Sequence, residues 1–168
     1  MPILSHSADN PFVDGRQSDR ALAVRTGVER YFHELGWATL PELALAGGRR
    51  ADLVAISAKG DIAIIEVKSS IADFRADTKW PEYHDHCDFL YFATLTDVPQ
   101  DIFPDETGLM IADAFGADIL RPAEELRIAA ARRKAVTLRF SRAAAQRLVR
   151  CCVHAGLDPT TLVETDEG

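Results

Sequence analysis

No apolar run in this 168-residue chain exceeds a handful of residues, Ile62-Ala63-Ile64-Ile65 being typical. A bilayer-spanning helix needs roughly 20, so no membrane segment is read. Cysteine is scarce: Cys87, Cys151 and Cys152 show no CxxC spacing and the last two are adjacent, which suits reduced thiols rather than a disulfide framework. The first residues carry His6, Asp9, Asp14 and Asp19 where a secretory signal would have a basic start and an apolar stretch. No such signal is read, and a cytoplasmic location is expected. An excess of positive charge is also missing, since 19 basic residues face 26 acidic ones for a net −7. That argues against binding nucleic acid through the overall field. The phosphate-binding pattern GxxxxGK[ST] is absent too, which leaves Gly47-Gly48-Arg49-Arg50 as a flexible basic entry to a strand. What is present, 47% hydrophobic and 27% charged residues, is the balance of one folded soluble domain.

Periodicity places the elements. Residues 1–16 hold Pro2, Pro11 and Gly15 without a repeat and read as a poorly ordered lead-in. From Ser18 a helix is predicted, with Val24, Val28, Tyr31, Phe32 and Leu35 at helical spacing and Gly36 to close it. Residues 37–45 predict an edge strand, because Pro41 cannot serve a central ladder. Residues 51–57 and 61–69 form the clearest pair, a hairpin around Ala58-Lys59-Gly60 with Gly60 suited to the left-handed position. If residues 57 and 61 flank that loop, Ile56 faces Ile62, Val54 faces Ile64 and Asp52 faces Glu66. Both faces of the hairpin are apolar, so it should lie inside a covered sheet. A helix over 71–80, a strand over 88–94, an irregular acidic loop over 97–107 that could cover a site, and two short strands at 109–113 and 117–120 follow. The last predicted helix runs from Ser141 to about Ala155. One domain over 17–156 is expected, basic and helical from about 121, with an acidic tail at 157–168.

The chemistry-bearing feature is Asp52, thirteen intervening residues, then Glu66-Val67-Lys68. Opposed carboxylates destabilise a bare hairpin, and residues i and i+2 of a strand share a face, so Lys68 joins the two acids. Mg²⁺ suits such a cluster, because hard cations take carboxylate and carbonyl oxygens and keep several waters. Asp52, Glu66 and the Val67 carbonyl would be its ligands, and Lys68 would orient the attacking water or offset charge on a phosphate. A plain salt bridge at a wet sheet edge is the alternative for an isolated motif of this length.

The motif, Arg50-Ala51-Asp52-Leu53 with Ile65-Glu66-Val67-Lys68, resembles the PD-(D/E)XK nuclease superfamily. Ala51 stands where that name has proline, a position without a chemical role. The resemblance implies an α/β fold with a restriction-endonuclease-like core, a central mixed sheet flanked by helices on both faces. It also implies a catalytic first-helix glutamate, for which Glu29 in Val28-Glu29-Arg30-Tyr31 is the candidate. From about Arg20 to Arg150, with Phe74, Lys79-Trp80-Pro81-Glu82-Tyr83, Cys87-Asp88 and Arg132-Arg133-Lys134, the chain resembles the bacterial MmcB-like family of DNA-repair-associated proteins. The implied function is a Mg²⁺-dependent endonuclease, Mn²⁺ able to substitute, acting on damaged or branched DNA. A homodimer or a repair-protein partner is compatible with this. A non-catalytic DNA-binding or recruiting module on the same fold, or a nuclease acting on RNA, are the alternatives.

Asp73 and Asp77, one helical turn apart, read mainly as a solvated helix face, with the rim of the site as the second option. Trp80 and Tyr83 read as packing residues that could also stack on a base. His84-Asp85-His86-Cys87 has poor spacing for zinc. Charge is unevenly spread: residues 71–118 hold two basic and eleven acidic groups, residues 121–154 nine and two. Arg49, Arg50, Lys79, Arg132, Arg133 and Lys134 are therefore candidates for DNA phosphate contacts despite the acidic total.

Overall fold

The computed structural model describes residues 18–161; the expected lead-in at 1–16 and most of the acidic tail lie outside them. The helix α1 (Asp19–Glu34) starts where Ser18 accepts a hydrogen bond from the Ala21 N–H. Six strands follow in one sheet whose spatial order equals the chain order: β1 (Ala38–Ala44), β2 (Arg50–Ile56), β3 (Ile62–Val67), β4 (Phe89–Thr94), β5 (Gly108–Ala112) and β6 (Ala117–Arg121). The pairs β3–β4 and β4–β5 are parallel and the other three antiparallel. This is a mixed α/β sheet, consistent with a restriction-endonuclease-like core. The hairpin register is the expected one, with Ile56 on Ile62 and Val54 on Ile64. Pro41 sits on the edge strand as the missing N–H requires.

Alternation divides the sheet into two packed faces. Leu53, Ala63, Ile65 and Val67 pack against Val24, Val28 and Phe32 of α1. Ile62 and Ile64 point the other way, onto Tyr83, Leu90, Val136 and Phe140. Helices therefore cover both faces, as expected. The helix α1 lies close against the β5–β6 connection: a Cβ on Gly27 would sit 2.0 Å from the Asp113 carbonyl oxygen and 2.3 Å from that of Gly116. Alanine would normally gain up to about 1 kcal/mol over glycine inside a helix, but overpacking against fixed backbone costs about 2 kcal/mol. Gly27→Ala should thus lower the urea unfolding free energy by about 1 to 2 kcal/mol. A gain instead would show that α1 can slide off the sheet.

Two helix boundaries differ from the expectation. The helix α2 ends at Ala76 (Ile71–Ala76), short of Trp80, and a 3-10 helix follows over Trp80–Asp85 with Pro81 in its first turn. The reason is Asp77, whose backbone is extended and whose carboxylate is drawn away to Lys68. The last helix, α3 (Ala130–Ala155), begins eleven residues before Ser141 and spans 26 residues. Its start is anchored by buried Asp88, which accepts both Arg133 guanidinium nitrogens at 2.6 Å and the N–H groups of Ile62 and Ile128. The acidic loop contributes support: its Val98 and Phe103 pack on Phe92 beside Phe74 and Trp80, behind the elements that carry Asp77 and Lys79.

Candidate functional site

Asp52 and Glu66 meet where the β2–β3 ladder ends. In place of the next backbone pair, the Asp52 N–H donates to Glu66 Oε1 at 3.1 Å and the Val67 N–H donates to Asp52 Oδ2 at 2.9 Å. Each carboxylate thus fills one position of the ladder and keeps its second oxygen for other partners. Glu66 is buried, on the same face as Ile62 and Ile64. Burial pushes the Asp52 carboxyl up to about 6, against the opposing pull of the Val67 N–H and Lys68. Burial and then the neighbouring Asp52 push Glu66 well above the usual carboxylate range.

Lys68 is also buried. Its Nζ lies 2.7 Å from Asp77 Oδ2 and 3.9 Å from Glu66 Oε2. Burial would lower its pKa, but the Asp77 hydrogen bond and the field of Glu66, Asp77 and Asp52 outweigh that and hold it above the ordinary lysine value. A lysine so placed is a permanent cation and hydrogen-bond donor, not a base. Its backbone is fixed to β4 by Lys68 N–H to the Ala93 carbonyl at 2.9 Å and Thr94 Oγ1 to the Lys68 carbonyl at 2.6 Å. Since Lys68 bonds toward β4, the preceding Val67 presents both its N–H and its carbonyl to the Asp52 side.

Beside Lys68 opens a depression of about 420 Å³ lined by Arg49, Lys68, Asp73, Asp77, Lys79 and Tyr83, among others; Asp52 and Glu66 lie behind Lys68 and do not line it. Asp73 ties down the start of α2: its N–H donates to the Ser70 cap Oγ at 3.1 Å, and its Oδ2 accepts the Ser69 N–H at 3.0 Å. Asp77 is not part of a solvated helix face; it terminates α2 and is the nearest carboxylate to Lys68. Tyr83 is buried and donates to the Arg50 carbonyl at 3.0 Å, and Trp80 packs edge-on against Phe92, so both are packing residues. Glu42, absent from the sequence reading, stands where the β1–β2 register would oppose Asp52. It has a positive φ of 54° and pairs with Arg50 at 2.5 Å. Only the register itself could have pointed to it.

Glu29 is placed elsewhere. It faces Arg25 on its own helix at 3.7 Å, and burial raises its pKa against that partner. The Arg20 guanidinium reaches the Ser69 carbonyl at 3.4 Å, so α1 begins near the Lys68 end of β3. Glu29 is nine residues further along, about 13 Å at the helical rise, on the layer opposite the depression. Among the phosphate candidates, Arg49 holds Glu82 with two bonds of 2.7 and 3.1 Å and lines the depression together with Lys79. Arg132 approaches Asp85 at 3.5 Å, and Lys134 is exposed. Arg133 is a structural residue, committed to Asp88 and the Gly60 carbonyl.

Among the described residues no three His, Cys, Asp or Glu side chains converge on one metal position; the His84–Cys87 run forms none, and its Cys87 is buried in the core. The donors that do converge are two carboxylates and one carbonyl, all oxygen, in a site where like charges lie together. That set fits a hard divalent cation that keeps several waters. Asp52, Glu66 and the Val67 carbonyl are the groups that would hold it.

A family model described as DNA repair protein MmcB-like matches residues 8–155. No curated protein matches the chain. A solved structure from Silicibacter pomeroyi, the SPO1766 protein of unknown function, superposes with a TM-score of 0.77 at 36% identity, covering 89% of this chain and 99% of that one. No helix among the described residues is long and apolar enough to cross a membrane.

Proposed function

This chain belongs to the MmcB-like family of DNA-repair proteins, and from that premise we propose that it is a metal-dependent endonuclease that hydrolyses DNA phosphodiester bonds. The observation that carries the reading is the juxtaposition of Asp52 and Glu66 with a buried, charged Lys68 that lines an open, polar depression. A bound Mg²⁺ or Mn²⁺ would supply a water of lowered pKa and polarise the phosphoryl oxygen. The chain's own residues supply the rest. Asp52 and Glu66 hold the cation, each oriented by a backbone N–H. Lys68, held by Asp77, directs N–H donors at the attacking water or the charged phosphate oxygens. Arg49 and Lys79 at the rim face the phosphates on either side of the cut. An open depression suits a continuous strand better than an extruded base.

A second reading is a binding module on the same scaffold. It is favoured by one observation: both carboxylates already accept hydrogen bonds from backbone N–H groups, so the site is self-satisfied without a cation. The two readings separate in one experiment. Protein incubated with duplex, flapped, branched and single-stranded DNA and with RNA, in Mg²⁺, Mn²⁺ or EDTA, should cut at least one DNA in the metals alone. Melting in the same buffers should show Mg²⁺-linked stabilisation. DNA binding with neither cleavage nor a metal-linked shift would establish the module instead.

A further inference from the structure

The helix α3 carries seven basic residues and no acidic one across its 26 positions. Two of the seven are structural. Arg133 holds Asp88, and Arg147 donates to the Pro41 and Glu42 carbonyls of β1. These two anchors also fix the direction of the helix. Arg133 touches Gly60 in the β2–β3 hairpin, whereas Glu42 stands opposite Asp52, so α3 runs from the far end of the sheet toward the site. It continues eight residues past Arg147, about 12 Å at the helical rise.

Arg132, Arg139, Arg142 and Arg150 fall on one shoulder of this helix, within about 80° of one another at 100° per residue, and all four are exposed. Arg132 leans on Asp85 of the 3-10 helix; Arg139, Arg142 and Arg150 have no acidic partner among the described residues. At its Arg132 end the shoulder faces the 3-10 helix, as Arg132 shows by contact. His86, lowered first by burial, is lowered further by both Arg132 and Arg139. At its far end that 3-10 helix carries Glu82, which holds Arg49 at the rim of the depression. The cations thus form a row that leads to the site.

We infer that this shoulder of α3 is the track for the phosphate backbone of a DNA duplex, delivering a strand to the depression that Lys68 lines beside Asp52 and Glu66. From Arg132 to Arg150 is about 27 Å, which corresponds to about eight base pairs at 3.4 Å each. The substrate therefore carries a duplex arm of at least that length beside the cut. The delivery step rests on the nuclease reading; the binding step does not. A helix without a single carboxylate repels a second copy of itself, and its charge matches a polyanion.

The test is binding of a fluorescein-labelled duplex of about 25 base pairs, in EDTA and across a salt series. Arg139→Glu, Arg142→Glu and Arg150→Glu combined should weaken it by about tenfold or more and reduce the slope of log K against log salt by about 3. Glutamate is a good helix former, and circular dichroism checks that the fold persists. Arg30→Glu, on the exposed side of α1, should change neither quantity. Wild-type affinity and slope in the triple variant would overturn the inference. Because no cleavage is read, failure of the nuclease reading would leave this result standing, and failure here would leave metal-dependent cleavage untouched.

Discussion

Lys68→Ala should abolish Mg²⁺-dependent cleavage, by at least about 10³-fold, and should also lower stability by roughly 2 to 4 kcal/mol. The two effects share one cause. The Lys68 ammonium is 7% exposed, touches Asp77 at 2.7 Å and stands 3.9 Å from Glu66. Removing it leaves Asp52, Glu66 and Asp77 as mutually repelling carboxylates without their cation, part of which protonation will relieve. To separate lost chemistry from lost fold, cleavage is measured well below the variant's melting temperature and beside Asp77→Asn. That second variant removes a carboxylate charge while keeping an oxygen that can accept from Nζ. It should lose stability yet keep cleavage within about tenfold of wild type. Since Lys68 stays protonated, the cleavage profile should show no falling limb from lysine ionisation below about pH 10. Full activity in the alanine variant would remove Lys68 from the mechanism.

That Asp52 and Glu66 are neighbours was legible because they lie on one hairpin. Register there follows from loop length and alternation, both local, and so Asp52 and Glu66 could be set opposite each other before any fold was known. What could not be read was set by contacts distant in sequence. Asp77 has helical spacing from Asp73, and nothing local shows that Lys68, nine residues back, ends the helix there. Arg132, Arg133 and Lys134 look equivalent as a basic triplet, yet one of them is bound to Asp88, 45 residues away. The same limit applies to Glu29. Its place on α1 is readable, but which end of that helix meets β3 depends on Arg20 reaching Ser69.

Asp52→Asn and Glu66→Gln should act in opposite directions on stability and on metal binding. Each is expected to raise the melting temperature of the metal-free protein at neutral pH and to remove its Mg²⁺-linked rise, together with cleavage. In the folded protein both carboxyls have raised pKa values, Asp52 to about 6 from an ordinary 3.8 and Glu66 well above its own reference. The unfolded chain therefore releases these protons at lower pH than the folded one. Metal-free stability falls as pH climbs from about 4 through about 6, where Asp52 ionises; the raised Glu66 carboxyl adds to the fall, and the loss persists once both are ionised. For Asp52 the ceiling is about 3 kcal/mol at 1.36 per pH unit, so a gain of roughly 1 to 3 kcal/mol is expected on neutralising it. The amide oxygens can still accept from the Val67 and Asp52 N–H groups, which preserves the ladder's end. Melts from about pH 5 to about pH 8 in EDTA should fall with pH for wild type and flatten for the variants. With Mg²⁺ the wild-type fall should be offset increasingly as the carboxylates ionise, because protons and the cation compete for the same oxygens. A site kept for chemistry at the expense of stability behaves this way. Variants that melt like wild type in EDTA and still respond to Mg²⁺ would place the cation elsewhere.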